Sequence, residues 1–247
     1  GILHQAWAAR QGGGGVAQSR WVAWREGFAL LGVLLASALP ALWGWELTTF
    51  LLVVMLALGL FSWRRTAQSA WASGDLAQGS HLVTSLWQPW RHTGFRRLLM
   101  VYMVNGLASA VPATLVLFFV QDLLQAPKSM EPLFLSLYFA AGAVSFPLWL
   151  WVIDRIGLLR TWACGMALSV LAFVSVVTLS AGDTTGFLLV CALSGMALGA
   201  DLTVPGALLN QLIDRCGERG RTDGAFMGWW NLATKLNLAL AAGLSLP

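Results

Sequence analysis

The sequence predicts an all-helical protein that crosses a membrane several times, and three observations support this prediction. Of its 247 residues, 57% are hydrophobic and only 11% are charged, which lies outside the usual composition of soluble domains. The apolar residues form runs of about 20, the length that a helix needs to cross a hydrocarbon core of roughly 30 Å. Many of the 14 tryptophans flank these runs, where amphipathic rings favour the headgroup region.

Seven membrane spans are expected. Residues 1–9 are too short to span, and the glycine run at 12–15 is typical of a flexible connection. The chain starts at Gly1 rather than Met and ends at Pro247 beside an apolar run, so we expect a fragment of a longer protein. The seven expected spans lie at 21–43, 47–63, 98–120, 133–153, 158–181, 185–212 and 225–246.

The basic residues predict the orientation of these spans. If the loops alternate between two sides, 13 arginines fall on one side and only Lys128 falls on the other. The excess of arginine marks the cytoplasmic side. We therefore expect a multi-pass protein of a cell inner (plasma) membrane. The arginines of this side are Arg10, Arg20, Arg25, Arg64, Arg65, Arg91, Arg96, Arg97, Arg155, Arg160, Arg215, Arg219 and Arg221.

The longest gap between spans, residues 64–97, divides the chain into two groups of helices. We expect residues 1–63 to end a first bundle and residues 98–247 to belong to a second, with 64–97 as a central cytoplasmic loop. The end of this loop, WQPWRHTGFRR at 87–97, is typical of an amphipathic segment on the membrane surface, although a plain linker explains it equally well.

A short loop at 154–160, DRIGLLR, joins two spans. In the simpler interpretation Gly157 makes the turn, and Arg155 and Arg160 anchor the helix ends among anionic headgroups. In the alternative, Asp154 pairs with Arg155 or with a neighbouring helix in one conformational state and acts as a gate.

Several function classes lack the residues they need. Three scattered cysteines, Cys164, Cys191 and Cys216, give no disulfide or metal-ligand spacing, so we expect no metal site. The basic residues are spread over membrane-flanking loops, which argues against a nucleic-acid partner. No paired acids, histidine cluster, HExxH or GxSxG lies at the end of a span, so an enzyme is not expected.

Two ionisable residues lie inside apolar spans, and such residues point to function. Asp201 and Lys235 are at similar depth on helices joined by a short loop, so an ion pair between them is geometrically possible. Pro205 is expected to bend or open the helix of Asp201. Asn105, Asn231 and Asn237 can hydrogen-bond a polyol or a neighbouring helix, and Trp229 or Trp230 can stack on a sugar ring or pack within the protein.

The chain resembles a known transporter family over essentially its whole length. The loop DRIGLLR is similar to the cytoplasmic signature loop of the major facilitator superfamily. Together with SRWVAWREGF at 19–28, the long central loop and LIDRCGERGRTDGAFMGWWNLATK at 212–235, it resembles the glycoside–pentoside–hexuronide:cation symporter family, the melibiose permease-like proteins. This resemblance implies that residues 1–8 end helix 4 of twelve and that the seven spans are helices 5 to 11.

The resemblance also implies alternating access around a central site, driven by a co-transported cation. Lys235 matches the family's lysine in helix 11, Arg25 resembles its arginine near the start of helix 5, and Trp7 matches its aromatic residue at the end of helix 4. The family's sodium-binding acids lie mainly in helix 2, which this chain lacks, and in helix 4, where the residues are Leu3, His4 and Gln5. The coupling cation is therefore expected to be H+ or Na+.

The expected function is cation-coupled symport of a sugar or related polar solute, by a protein that needs no other cofactor. The candidate site residues are Lys235, Asp201, Arg25, Asn231, Trp230 and Trp7, with Asp154, Arg155, Gly157 and Arg160 as a gating loop. Expected partners are membrane lipid and a small-molecule substrate, and the protein is expected to be a monomer. Two alternatives remain open: transport of lysolipid-like or other amphipathic solutes, and a non-transporting receptor on a transporter fold.

Overall fold

The computed structural model describes residues 15–71, 82–219 and 222–245. This part of the chain contains helices and their connections but no β-strand, which confirms the all-helical prediction. The α-helices are α1 (Gly15–Trp71), α2 (Leu82–Arg91), α3 (Thr93–Phe118), α4 (Glu131–Ile156), α5 (Leu158–Ser175), α6 (Thr184–Arg215) and α7 (Asp223–Ser245). Short helical turns lie at Phe119–Leu123, Lys128–Met130 and Val176–Thr178.

The helices form two compact units. One consists of Phe28–Leu82, and the other combines Gly1–Gly27 with Val83–Pro247. The boundary at Leu82 falls inside the segment 64–97, where a boundary between bundles is expected. The assignment of the units to two transporter bundles stays a prediction.

Most of the first unit is a bent helix. At Gly44 the backbone has φ 77° and ψ 169°, which interrupts α1 between the expected spans 21–43 and 47–63. This φ is readily available only to glycine. The hydroxyl of Thr48 donates a hydrogen bond of 2.8 Å to the Gly44 carbonyl, so the bend does not leave that carbonyl unsatisfied. Large apolar side chains such as Phe50 and Met55 are exposed, as expected of a surface in contact with lipid.

Five helical stretches of the described residues are long and apolar enough to cross a membrane, whereas the sequence predicts seven spans. They are Trp43–Ser62, Thr93–Val116, Lys128–Ile156, Leu158–Thr178 and Thr184–Arg215. The expected span at 225–246 lies in α7, where Asn231, Lys235 and Asn237 lower the mean hydropathy. The expected span at 21–43 lies in the first stretch of α1. The number seven therefore stays a prediction.

Helix α6 is the centre of the second unit. Helices α4 and α5 both pack along α6, while α7 packs mainly against α3. Neighbouring helices bury 56% of the apolar stretch of α6 but only 6% of the corresponding stretch of α3. A polar side chain on α6 is therefore shielded more than it would be elsewhere in this unit.

Small residues allow α4 and α6 to approach closely. A Cβ at Gly195 would overlap the backbone carbonyl oxygen of Tyr138, and a Cβ at Gly199 would overlap the hydroxyl oxygen of Ser145. The indole nitrogen of Trp149 donates a hydrogen bond of 2.7 Å to the carbonyl of Met196. Backbone proximity and interhelical hydrogen bonds of this kind hold membrane helices together in the absence of a hydrophobic driving force.

Helix α2 packs against α7 through aromatic rings. The rings of Trp90 and Trp229 meet edge to face at 5.1 Å, and at the start of α3 the ring of Phe95 meets that of Phe226 edge to face at the same distance. The Trp229 indole also donates a hydrogen bond of 2.8 Å to the Leu86 carbonyl. Trp90 and Phe95 of the segment 87–97 are therefore packed against α7, while the position of this segment at the membrane surface stays a prediction.

We expect Gly195→Ala to destabilise the protein. The added methyl group would meet the backbone of α4, which cannot move aside as a side chain can, and overpacking of this kind costs about 1–3 kcal/mol. Gly228→Ala is the matched control, because a Cβ there meets nothing within 4 Å. Thermal unfolding of the purified variants in detergent measures the difference. Equal unfolding temperatures for the two variants would contradict the close contact at Gly195.

Candidate functional site

The carboxylate of Asp201 lies at the meeting point of three helices. From α3, Asn105 Nδ2 donates a hydrogen bond of 3.1 Å to Asp201 Oδ1, and from α5, Trp162 Nε1 donates one of 2.9 Å to the same oxygen. Asp201 itself is partly buried on α6, between the buried residues Ala200 and Thr203. Two neutral donors thus hold an acidic side chain in an apolar interior, where an unpartnered charge would be costly.

Helix α6 passes through Pro205 without a break. The α-helix extends over Thr184–Arg215, and Pro205 is buried within it. Because proline has no backbone N–H, the carbonyl of Asp201, four residues earlier, has no helical donor at that position. The expected opening of the helix is therefore absent, while the expected bend at Pro205 stays a prediction.

Lys235 does not pair with Asp201 in this structure, so the ion pair considered from the sequence is wrong here. Lys235 is exposed on α7, and it forms no ion pair with any described residue. The reason lies in the packing. Although a short loop joins α6 to α7, α7 lies mainly against α3, and α6 lies against α4 and α5. Two helices that are joined by a short loop, α6 and α7, are therefore not close neighbours here.

An aromatic and hydroxyl contact joins α3 to α7 beside Lys235. The ring of Tyr102 stacks on Trp230 with centroids 3.9 Å apart and an angle of 25° between the planes. The Tyr102 hydroxyl also shares a hydrogen bond of 2.8 Å with the hydroxyl of Thr234. Trp230 thus packs within the protein in this structure, five residues before Lys235 on α7.

The candidate asparagines take different roles. Asn231 is half-buried, and its side-chain nitrogen donates a 2.7 Å hydrogen bond to the Met227 carbonyl of its own helix. Asn237 is buried against Gly106, where a Cβ would overlap its amide nitrogen. Asn105 joins two helices through Asp201. Asn105 thus bonds a neighbouring helix, and Asn237 packs against one without a hydrogen bond to it among the described residues.

The loop between α4 and α5 is a single residue. Gly157 connects the two helices with φ 80°, and its N–H donates a hydrogen bond of 2.9 Å to the Ile153 carbonyl. The guanidinium of Arg155 lies 4.9 Å from the centre of the Trp151 ring. Asp154 and Arg160 are exposed, and Asp154 has no ion pair with a described residue. The gating role of this loop stays a prediction.

The remaining candidates lie near the start of the chain. Arg25 is half-buried in the first part of α1. Trp7 lies outside the residues that the structure describes.

A buried glutamate near the Arg-rich ends of the helices was not predicted. Glu218 accepts hydrogen bonds of 3.1 Å from Gln88 Nε2 and 2.8 Å from the Thr222 hydroxyl, and its carboxylate lies 3.7 Å from His92 Nε2. It ties α2 to the loop between α6 and α7. Burial, and then the charge of Glu218, raise the pKa of the Cys216 thiol in this loop.

Sequence reasoning also missed Trp162 and Tyr102. Trp162 lies in an apolar span, where a tryptophan is typical of a membrane-interface position, and 39 residues separate it from Asp201. Tyr102 contacts Thr234 across a separation of 132 residues. No spacing pattern indicates either contact, because both depend on which helices pack together.

In the described residues, Asp201 is partly buried on the central helix α6 and Lys235 is exposed on α7. Within the described residues, no three His, Cys, Asp or Glu side chains come close enough together to hold a metal ion.

In a comparison with known families, residues 17–247 match the one described as MFS/sugar transport protein. The chain belongs to this family. No curated protein and no solved structure matches it.

Family membership makes the protein a membrane transporter. Five apolar helices in the described part of the chain agree with a membrane location. The chemistry that this transporter must provide is reversible binding of a solute, with polar groups placed inside a helical bundle.

Because Lys235 is exposed on α7 and does not pair with Asp201, we expect the effects of the two residues on stability to be independent. Asp201→Asn and Lys235→Gln should be additive in the free energy of unfolding, with a coupling below about 0.5 kcal/mol. The pair Asp201→Asn and Trp162→Phe is the positive control, since those side chains are in direct contact. Unfolding of the single and double variants in mixed micelles gives the coupling. A coupling between Asp201 and Lys235 as large as that of the control would contradict the structure.

Proposed function

We propose that the transporter moves a sugar or a related polar solute in symport with a cation, by alternating access. The observation that carries this proposal is the Asp201 carboxylate, held by Asn105 and Trp162 inside the central helix of a member of a sugar transport family. An acidic side chain in a membrane interior is costly to keep, and such residues mark substrate and ion pathways. We also propose that the chain belongs to the melibiose permease-like proteins within this family.

The polar face of α7 supports a polar solute. Lys235 is exposed and Asn231, four residues earlier, lies on the same face of the helix. A lysine ammonium group and an amide can donate hydrogen bonds to the hydroxyl groups of a polyol. Tyr102 and Trp230 form an aromatic wall next to this face.

The other candidates complete the proposed cycle. Arg25 and Trp7 would contribute to the solute site, as their resemblance to family residues implies. The loop carrying Asp154, Arg155, Gly157 and Arg160 would form and break contacts at the cytoplasmic face during the conformational change. We place the protein in the inner (plasma) membrane as a monomer whose partners are lipid and one small-molecule substrate.

A second candidate function is transport of an amphipathic solute, and one cavity favours it. A cavity of about 450 Å³ lies between α3, α4, α5 and α6 at the end of the unit opposite Arg97 and Arg215. Its walls are mostly apolar and aromatic, and Glu131 and Tyr138 are among its few polar groups. A volume of this size accommodates part of an alkyl chain with its headgroup at the mouth.

Counterflow of labelled solutes into proteoliposomes holding the full-length protein tests both candidates and separates them from a receptor role. A panel of sugars, sugar acids, other polar solutes and lysolipids is required, because the substrate class is the question. Accelerated exchange of a sugar or polar solute supports symport of polar solutes. Exchange of lysolipids alone would favour the second candidate, and binding without any flux would favour a receptor.

We expect Lys235→Gln to reduce counterflow of the polar solute at least tenfold. A hydrogen bond to a charged group contributes about 1.5–3 kcal/mol, and ~1.4 kcal/mol corresponds to a factor of ten. Lys128→Gln is the matched control, since Lys128 is also exposed but lies in the turn before α4. Counterflow is compared at equal amounts of folded protein. Equal flux in the two variants would remove Lys235 from the site.

For the second candidate, the cavity gives a selective test. If the cavity receives the apolar part of a solute, Ala113→Trp should lower lysolipid exchange severalfold, because Ala113 lies in the cavity wall and the larger side chain fills the space. Ala140→Trp is the control, since Ala140 is exposed on α4 outside the cavity. Lysolipid exchange that resists the first substitution would exclude this cavity as the solute site.

A further inference from the structure

The carboxylate of Asp201 is bound asymmetrically. Asn105 and Trp162 both donate to Oδ1, while Oδ2 accepts no hydrogen bond from a described residue. A carboxylate has about four lone-pair positions on its two oxygens, so Oδ2 keeps its full capacity. One oxygen is thus fixed by the protein and the other is left for a further partner.

We propose that Oδ2 of Asp201 binds the coupling proton of the transporter, and that Trp162 and Asn105 are positioning residues for this carboxyl group. The step is a reversible protonation: a proton from water forms an O–H bond at Oδ2, and its release to water restores the carboxylate. This inference rests on the proposed function, since it names the coupling ion of a cation-coupled transporter.

The hydrogen bonds at Oδ1 are compatible with both forms of the group. Trp162 Nε1 and Asn105 Nδ2 donate to Oδ1, and protonation at Oδ2 removes neither donor. The carboxyl group can therefore gain and lose a proton without repacking of α3 or α5 against α6. Neutralisation also removes the cost of a charge in the apolar interior, so the protonated form can pass through a conformational change that would be costly for the charged form.

The surroundings of Asp201 suit a proton better than a sodium ion. Hard metal cations are bound by several oxygen ligands. Here the groups that reach the carboxylate from α3 and α5 are N–H donors. Their hydrogens carry partial positive charge, which disfavours a metal cation beside them. The oxygens that the described residues offer here are Oδ2 and the hydroxyl of Tyr138. They are fewer than the several oxygen ligands of a metal-ion site.

The ionisable groups around Asp201 are few. From α4, the hydroxyl group of Tyr138 interacts electrostatically with the carboxylate. The side chains that reach it from α3 and α5, Asn105 and Trp162, are neutral. From α7, Lys235 is exposed and is not paired with it. No described cation near the carboxylate thus holds it permanently in its charged form.

Infrared difference spectroscopy of the full-length protein in lipid tests this inference without knowledge of the solute. Acidification should produce a carboxylic-acid C=O stretching band that Asp201→Asn abolishes and Asp201→Glu moves. Trp162→Phe should shift the same band, because the indole bonds the carbonyl oxygen of the acid. Trp149→Phe is the matched control: it removes an indole hydrogen bond between α4 and α6 that does not involve Asp201, so the band should stay in place.

Two results would overturn the inference. A spectrum unaffected by Asp201→Asn and Asp201→Glu would show that Asp201 does not take up the proton, and loss of the band on adding Na+ at constant ionic strength would identify a sodium site. Counterflow measurements on the wild-type protein show whether the proton site alone is wrong or the proposed function itself fails. If wild-type protein catalyses counterflow but shows no Asp201 band, the proton site alone is wrong. If no solute moves at all, the proposed function fails whatever the spectrum shows.

Discussion

The close contact between α4 and α6 is the constraint on which the second unit depends. Gly195 and Gly199 have no side chain to separate the two backbones, and the Trp149 indole spans the contact to bond the Met196 carbonyl. This contact makes α6 a central helix with neighbours on several sides. Asp201 follows Gly199 by two residues, so the packing that joins α4 to α6 also places an acidic group in a shielded interior.

Shielding of Asp201 determines what its neighbours must provide. A carboxylate removed from water needs hydrogen-bond donors, and here Asn105 and Trp162 provide them from two different helices. Because neutral donors satisfy Oδ1, the acid does not require a buried cation. Lys235 is exposed on α7 and does not pair with this acid. Because Asn105 and Trp162 already bond the carboxylate, an acid and a lysine at similar depth need not form a pair.

The sequence predicted what depends on local pattern and missed what depends on packing. Runs of apolar residues predicted the helices, Gly44 interrupts α1 between two expected spans, and Gly157 makes the turn between α4 and α5. The bond from Trp162 to Asp201 and the neighbours of α7 could not be predicted. In a helix that is apolar on all sides, the pattern of apolar residues does not show which face packs against which neighbouring helix. A short loop between two helices did not predict that they are neighbours: α7 follows α6 in the chain but packs mainly against α3.

Helix α3 contacts Asp201 on α6 and, on α7, residues close to Lys235. Tyr102 reaches α7 through Trp230 and Thr234, and Asn105 reaches Asp201 on α6. Tyr102 and Asn105 are three residues apart, so they lie on neighbouring positions of one helical face. A movement of α3 that changed the contact with Asp201 would therefore also act on the segment of α7 that carries Lys235. In a structure where the acid and the lysine do not touch, α3 provides a direct physical link between the proposed proton site and the proposed solute site.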